Sequence, residues 1–122
     1  MRVMVIVKAT KNSEAGGKPS DKMLAEMGAF NEELVKAGVM LAGEGLQSSA
    51  KGKRIKFSGE KRTVTDGPFT ETKEVIGGYA MLKAASMDEA LKWTSRFLDV
   101  HGDEWEVECE VRQVDEACAP EV

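Results

Sequence analysis

Histidine, tyrosine, cysteine and proline are scarce in this chain of 122 residues: one His, one Tyr, two Cys and three Pro. Two cysteines, Cys109 and Cys118, make no disulfide framework. Cys109 alternates with valines and reads as a small buried residue, while Cys118 falls in a tail of low order. With one histidine and no further cysteine at ligand spacing, a zinc site is not expected. There is no nucleophile–base pair and no phosphate-binding glycine loop, so no cofactor is implied. No apolar run approaches the ~20 residues of a membrane span. Met1 runs straight into a strand, so no signal peptide is expected and the cytoplasm is the default compartment. Cations are not in excess either: 17 Lys and Arg stand against 21 Asp and Glu, a net charge of −4. That balance argues against a nucleic-acid partner, which wants a basic face. The basic clusters Lys51-Gly52-Lys53-Arg54 and Lys61-Arg62 read as solvated hairpin charges.

What is present is ordinary for a globular domain, 42% hydrophobic and 31% charged, and long enough to bury a core without staples. We expect one domain over residues 1–115, followed by a flexible tail at 116–122. Residues 2–8 (RVMVIVK) are apolar at both parities, with Val3, Val5 and Val7 on one face and Met4 and Ile6 on the other. A strand covered on both sides reads this way, so it belongs inside a sheet. Residues 9–20 form a loop rich in Gly, Lys and Ser that ends in a Ser20-Asp21 cap. A helix over 21–37 follows, with Met23, Met27, Phe30, Leu34 and Val35 at helical spacing. Gly38 ends it.

Residues 39–47 (VMLAGEGLQ) are a strand broken by glycine. Gly43 and Gly45 flank Glu44, which fits either a bulge with close backbone approach or a poor edge strand. Residues 53–57 and 60–65 pair as a hairpin around Ser58-Gly59. Residues 78–83 are again apolar at both parities and form the second central strand. Ser86-Met87-Asp88-Glu89 opens a second helix with a capping box. Its core face is Ala90, Leu91, Phe97 and Leu98, with Trp93 or Thr94 between them. The lone His101 sits in the exit loop, where it serves solvent or a C-cap. Residues 104–114 (EWEVECEVRQV) alternate strictly, placing Trp105, Val107, Cys109 and Val111 inward and Glu106, Glu108, Glu110 and Arg112 outward. The outward glutamates read as a solubilising edge, not a cation site.

The order is therefore β-α-β, hairpin, β-α-β. It predicts an α+β, ferredoxin-like antiparallel sheet in the order 4-1-3-2, with both helices on one face. Two helices cover one face only. The second parities of the central strands need another cover, and a homodimer is the simplest one.

The candidate site is the loop Asp66-Gly67-Pro68-Phe69 and the polar segment after it. Gly67 takes unusual backbone angles cheaply and Pro68 donates no hydrogen bond, so the strand before them must stop. A rigid, charged loop held between strands is where function concentrates. As an enzyme, the chain offers Asp66 with Glu71 or Glu74 as acid–base carboxylates, Lys73 as an anion or carbonyl contact and Tyr79 as a hydroxyl donor. As a binding module, the loop closes a pocket lined by Phe69, Tyr79 and methionines, with Asp66 and Lys73 fixing orientation. The plainer alternative is that Asp66 caps its own turn and Glu71 pairs locally with Lys73.

The tetrapeptide Asp66-Gly67-Pro68-Phe69, with Glu71, Lys73-Glu74 and Gly77-Gly78 after it and Ala42-Gly43-Glu44-Gly45-Leu46 before it, resembles the DGPF proteins of the YCII-related family of bacterial domains. The likeness runs over nearly the whole chain. It implies a dimeric α+β barrel built of ferredoxin-like halves, and adds Glu44 to the ligand-facing candidates. YCII-type proteins are proposed as enzymes through a His–Asp pair in a cleft. Asp66 stands for the aspartate, and no histidine occurs in the first helix. DGPF proteins also resemble partners encoded beside extracytoplasmic-function sigma factors, which implies a sigma factor as a possible regulatory partner.

Overall fold

A computed structural model describes residues 1–69, 74–101 and 106–116. Strand β1 (Arg2–Lys8) is followed by a four-residue helix α1 (Lys11–Glu14) and helix α2 (Asp21–Lys36). Then come β2 (Met40–Gly45), a 3-10 turn at Ser49–Lys51 and the hairpin β3 (Lys53–Ser58) and β4 (Lys61–Asp66). Strand β5 (Ile76–Lys83), helix α3 (Met87–His101) and β6 (Cys109–Gln113) complete the chain.

Strands β1 and β5 are central, as their two apolar parities require. The four-stranded sheet has the order β2-β5-β1-β6, all pairs antiparallel, which is the expected ferredoxin-like arrangement. Helices α2 and α3 lie against the face carrying Val3, Val5 and Leu82. There the core joins Val5, Phe30, Leu34, Val39 and Leu82, with Trp93, Phe97, Cys109 and Val111 at its border. A second cluster of Val3, Ala84 and Ala90 fills the end near Met87. Burying a large aliphatic side chain of this kind stabilises by about 1.5–3 kcal/mol. The core sits between helices and sheet, while Met4, Ile6, Tyr79 and Met81 on the opposite face are half-buried.

Both long helices start on serine. The Ser20 Oγ accepts from the Met23 amide at 3.1 Å, and the Ser86 Oγ accepts from the Glu89 amide at 3.2 Å. The Glu89 carboxylate reaches past Ser86 to accept from the Ala85 amide at 2.8 Å, so the box is offset by one residue. Gly38, at φ +71°, ends α2. An arginine ties the helices together: Arg96 donates two bonds to Glu33, at 2.7 and 2.6 Å, and lies 5.2 Å from both the Phe30 and Trp93 rings.

Several expectations are corrected. Val35 and Leu91 were expected in the core but are exposed, at 62% and 47%. Each lies one residue, about 100° of rotation, beyond a buried neighbour, Leu34 or Ala90, and so falls on the rim of the apolar stripe. Residues 9–20 contain α1, whose polar sequence carries no periodic signal. It rests on a Thr10/Ser13 capping box. The hairpin turns one residue later than expected: Ser58 pairs with Lys61, so the turn is Gly59-Glu60. Gly59 takes φ +63° at the first turn position, where a glycine is cheapest.

His101 is not in a loop. It is the last residue of α3, buried at 8%, and its Nδ1–H donates to the Phe97 carbonyl at 3.0 Å. The last strand is shorter than 104–114, although the Lys8 amide still bonds the Glu108 carbonyl at 2.9 Å. Trp105 lies outside the described residues. Glu116 was assigned to the tail, yet its carboxylate accepts two bonds from Arg2, at 3.0 and 2.8 Å. No helix among the described residues is long and apolar enough to cross a membrane.

Candidate functional site

The Asp66-Gly67-Pro68-Phe69 loop is anchored from beneath by the 3-10 turn. Gly67 donates its amide to the Gly52 carbonyl at 2.9 Å. A Cβ at Gly67 would lie 1.6 Å from the Ser49 carbonyl oxygen and 2.6 Å from its carbon, so only glycine fits here. The Gly67–Pro68 peptide is cis. Phe69 donates its amide to the Ser49 Oγ at 3.1 Å.

Ser49 is the hub of this arrangement, and it is buried. Its hydroxyl donates to the Glu14 carboxylate, and its amide donates to the other Glu14 oxygen at 2.8 Å. Ser48 adds a bond from its hydroxyl to the Glu14 carbonyl at 2.8 Å. These donors favour the ionised carboxylate, the Ser49 hydroxyl most, and hold Glu14 below its ordinary value. Helix α1, the 3-10 turn and the loop are thereby joined through one serine.

Above the turn, the Phe69 ring borders a cleft of about 400 Å³, within the range of small-molecule sites. Leu46, Val75 and Ile76 supply apolar wall, Lys51 and Arg54 two cations, and Glu74 a carboxylate. The Arg54 guanidinium stacks over Phe69 at 4.2 Å from the ring centre. Such stacking orients a planar cation against an aromatic face. Arg54 is therefore part of the cleft, where its sequence context suggested a solvated charge.

The described candidate residues fall in three places. Phe69 and Glu74 line the cleft. Asp66, at the end of β4, does not: its side chain is 75% exposed and pairs with Lys53, directly across the hairpin, at 2.6 Å. Tyr79 is opposite Ile6 and Glu44 in the register, which puts both Tyr79 and Glu44 on the open sheet face. Glu71 and Lys73 lie outside the described residues. The sequence reading missed Glu14, Ser49 and Gly52. Glu14 and Ser49 are 35 positions apart, and neither stands in a pattern that marks it.

A second groove, of about 410 Å³, runs along α2 and α3 between Glu26, Glu33, Arg96 and Asp99. Its one arginine is already bonded to Glu33, and none of the candidate residues reaches it. Among the described residues no cluster of His, Cys, Asp or Glu could hold a metal ion. Cys109 is half-buried, and burial together with the nearby Glu108 charge pushes its thiol up to about 11, so it carries no thiolate nucleophile at neutral pH.

A four-stranded antiparallel sheet with two helices on one face, and a loop-bordered cleft beyond its end, defines a ferredoxin-like α+β domain. The chain belongs to the YCII-related domain family, whose model matches residues 1–107. An uncharacterised protein of Rhizobium meliloti strain 1021 is 31% identical over 71 residues. The match covers 58% of this chain and 57% of that protein, so the chain spans little more than half the length of this relative.

Proposed function

We propose that the chain binds a small molecule in the cleft beside the Asp-Gly-Pro-Phe loop, acting as a cytoplasmic homodimer. One observation carries the binding reading: the Phe69 backbone, whose ring borders the cleft, is held by a buried serine that a carboxylate in turn holds. A loop needed only to join two strands requires no such second layer of support, whereas a binding wall does. The lining sets the ligand's chemistry. Apolar wall from Leu46, Val75 and Ile76 suits a hydrocarbon or aromatic body, and Lys51 and Arg54 suit a carboxylate or phosphate end.

A panel of organic acids and their neutral amides, screened by thermal shift, tests this. At least one acid should raise the melting temperature of the wild-type protein, and Phe69→Ala should lose that shift. A panel that leaves the wild type unmoved, or a shift retained by Phe69→Ala, would overturn the reading. Acid–base turnover is the second reading, and Glu74 favours it, because that carboxylate lines the cleft while Asp66 is tied to Lys53. Glu74→Gln abolishing turnover of a bound acid, with binding retained, is the result it requires.

The dimer reading rests on the sheet. Met4, Ile6, Tyr79 and Met81 stand on the face away from the helices, only half-buried. A second copy on this face would complete their burial. Light scattering should then give about twice 13.3 kDa.

A further inference from the structure

The β3–β4 hairpin forms a sheet of its own and shares no ladder with the four-stranded sheet. An isolated two-stranded hairpin is marginal in water. This one also turns large apolar side chains outward: Ile55, Phe57 and Val64 are 68%, 66% and 58% exposed. They belong together, because Ile55 is directly opposite Val64 and Phe57 lies two residues further on the same face. A contiguous apolar strip of this kind marks an interaction surface.

Charge says what kind. Residues 51–66 hold six of the 17 basic residues and two of the 21 acidic ones, leaving 11 basic against 19 acidic in the rest of the chain. A basic arm thus projects from an acidic body, and the surface that complements it is another body of the same chain. That body offers a matching apolar patch, the half-buried Met4, Ile6, Tyr79 and Met81. Glu44 stands beside Tyr79 in the register and is the carboxylate the patch offers, since Glu110, beside Ile6, is paired with Lys8 at 3.3 Å and Arg112 stands beside Met4. On the arm, Arg62 shares the apolar face and lies 5.7 Å over the Phe57 ring.

We propose that the hairpin is a docking arm whose Ile55, Phe57 and Val64 pack onto the open sheet face of a second copy, with Arg62 meeting Glu44 at its edge. This rests on the homodimer reading above and goes further by naming the contact. It also ties assembly to the site. Strand alternation puts Arg54 on the hairpin's other face, where it covers Phe69, so an arm held by a second copy holds one wall of the cleft. In a two-fold dimer each copy gives an arm and receives one.

The test combines Phe57→Ser with Val64→Ser and measures association by sedimentation over a concentration series. The double variant should melt as cooperatively as the wild type and dissociate with a Kd raised about 100-fold, as for the loss of two anchoring side chains. A photo-crosslinking phenylalanine analogue at position 57, in mixed dimers of light and heavy isotope, should join residues 2–8 or 76–83 of the other copy. A dimer whose Kd the double variant leaves unchanged would remove the arm but leave the sheet-face dimer standing. A wild-type monomer at micromolar concentration would overturn both. Crosslinks confined to one chain, or Phe57-dependent binding of the monomer to anionic vesicles, would also overturn the proposal.

Discussion

Replacing Ser49 by alanine removes one oxygen and leaves two groups short of a partner. The Phe69 amide loses its acceptor at 3.1 Å, and the Glu14 carboxylate loses its hydroxyl donor while keeping the Ser49 amide at 2.8 Å. A neutral hydrogen bond contributes about 0.5–1.5 kcal/mol and one to a charged group about 1.5–3 kcal/mol. Water reaches Glu14 and replaces part of the second term, so the sum falls at the low end, about 2 kcal/mol. For a domain of this size that lowers Tm by roughly 6–10 °C. Glu14→Gln keeps an acceptor and loses the charge, so it costs less, about 1 kcal/mol. Because the two residues share one contact, the double variant should cost less than the two single costs together.

The same contact predicts a pH signature. The Glu14 value is lowered in the folded chain, so the carboxylate binds its proton less readily folded than unfolded. Its stabilisation is present in full above the ordinary 4.5 and is lost as pH falls through the lower folded value. Urea melts of wild type and Ser49→Ala at pH 7 and at steps below pH 4.5 should therefore differ most at pH 7 and narrow in acid to the pH-independent part set by the Phe69 amide. A Ser49→Ala variant within about 0.5 kcal/mol of wild type at pH 7, the range of an ordinary surface change, would refute the reasoning.

Gly67→Ala must displace the Ser49 backbone, which a Cβ would meet at 1.6 Å. It should cost about 3 kcal/mol or more and abolish ligand shifts together with stability, read by urea melts. Asp66→Asn breaks an exposed pair with Lys53 and should cost about 0.2–1 kcal/mol, less in high salt. Ligand-induced shifts should survive it, and their loss would place Asp66 in the binding site after all. Cys109, studied in a Cys118→Ser background, should alkylate about 100-fold more slowly at pH 8 than an unshifted thiol, since its value stands at about 11 instead of 9.0. An ordinary rate would show that strand β6 opens readily.

The main sheet and helices were legible in the chain because their signals are local. Two parities of apolar residues in residues 2–8 and 78–83 say that those strands are covered on both faces, and they are the central pair. Ser20, Gly38 and Ser86 mark helix ends through bonds made within a turn or by a single φ. The Asp-Gly-Pro-Phe loop could likewise be read as a stop and as a site candidate, since Gly and Pro act on their own backbone. Which of its side chains reach a cavity could not be read. Asp66 and Phe69 are three residues apart, yet one pairs across a hairpin with Lys53 while the other is drawn in by a serine twenty positions earlier. Glu14 gains its role only where a short helix meets the 3-10 turn, and Arg54 becomes a wall only because the hairpin lays it over an aromatic ring. Periodicity records how much of a segment is buried, because burial repeats with the backbone's own geometry. Contacts between segments follow from how the elements dock, and docking leaves no repeat in the sequence, so only the tertiary structure decided them.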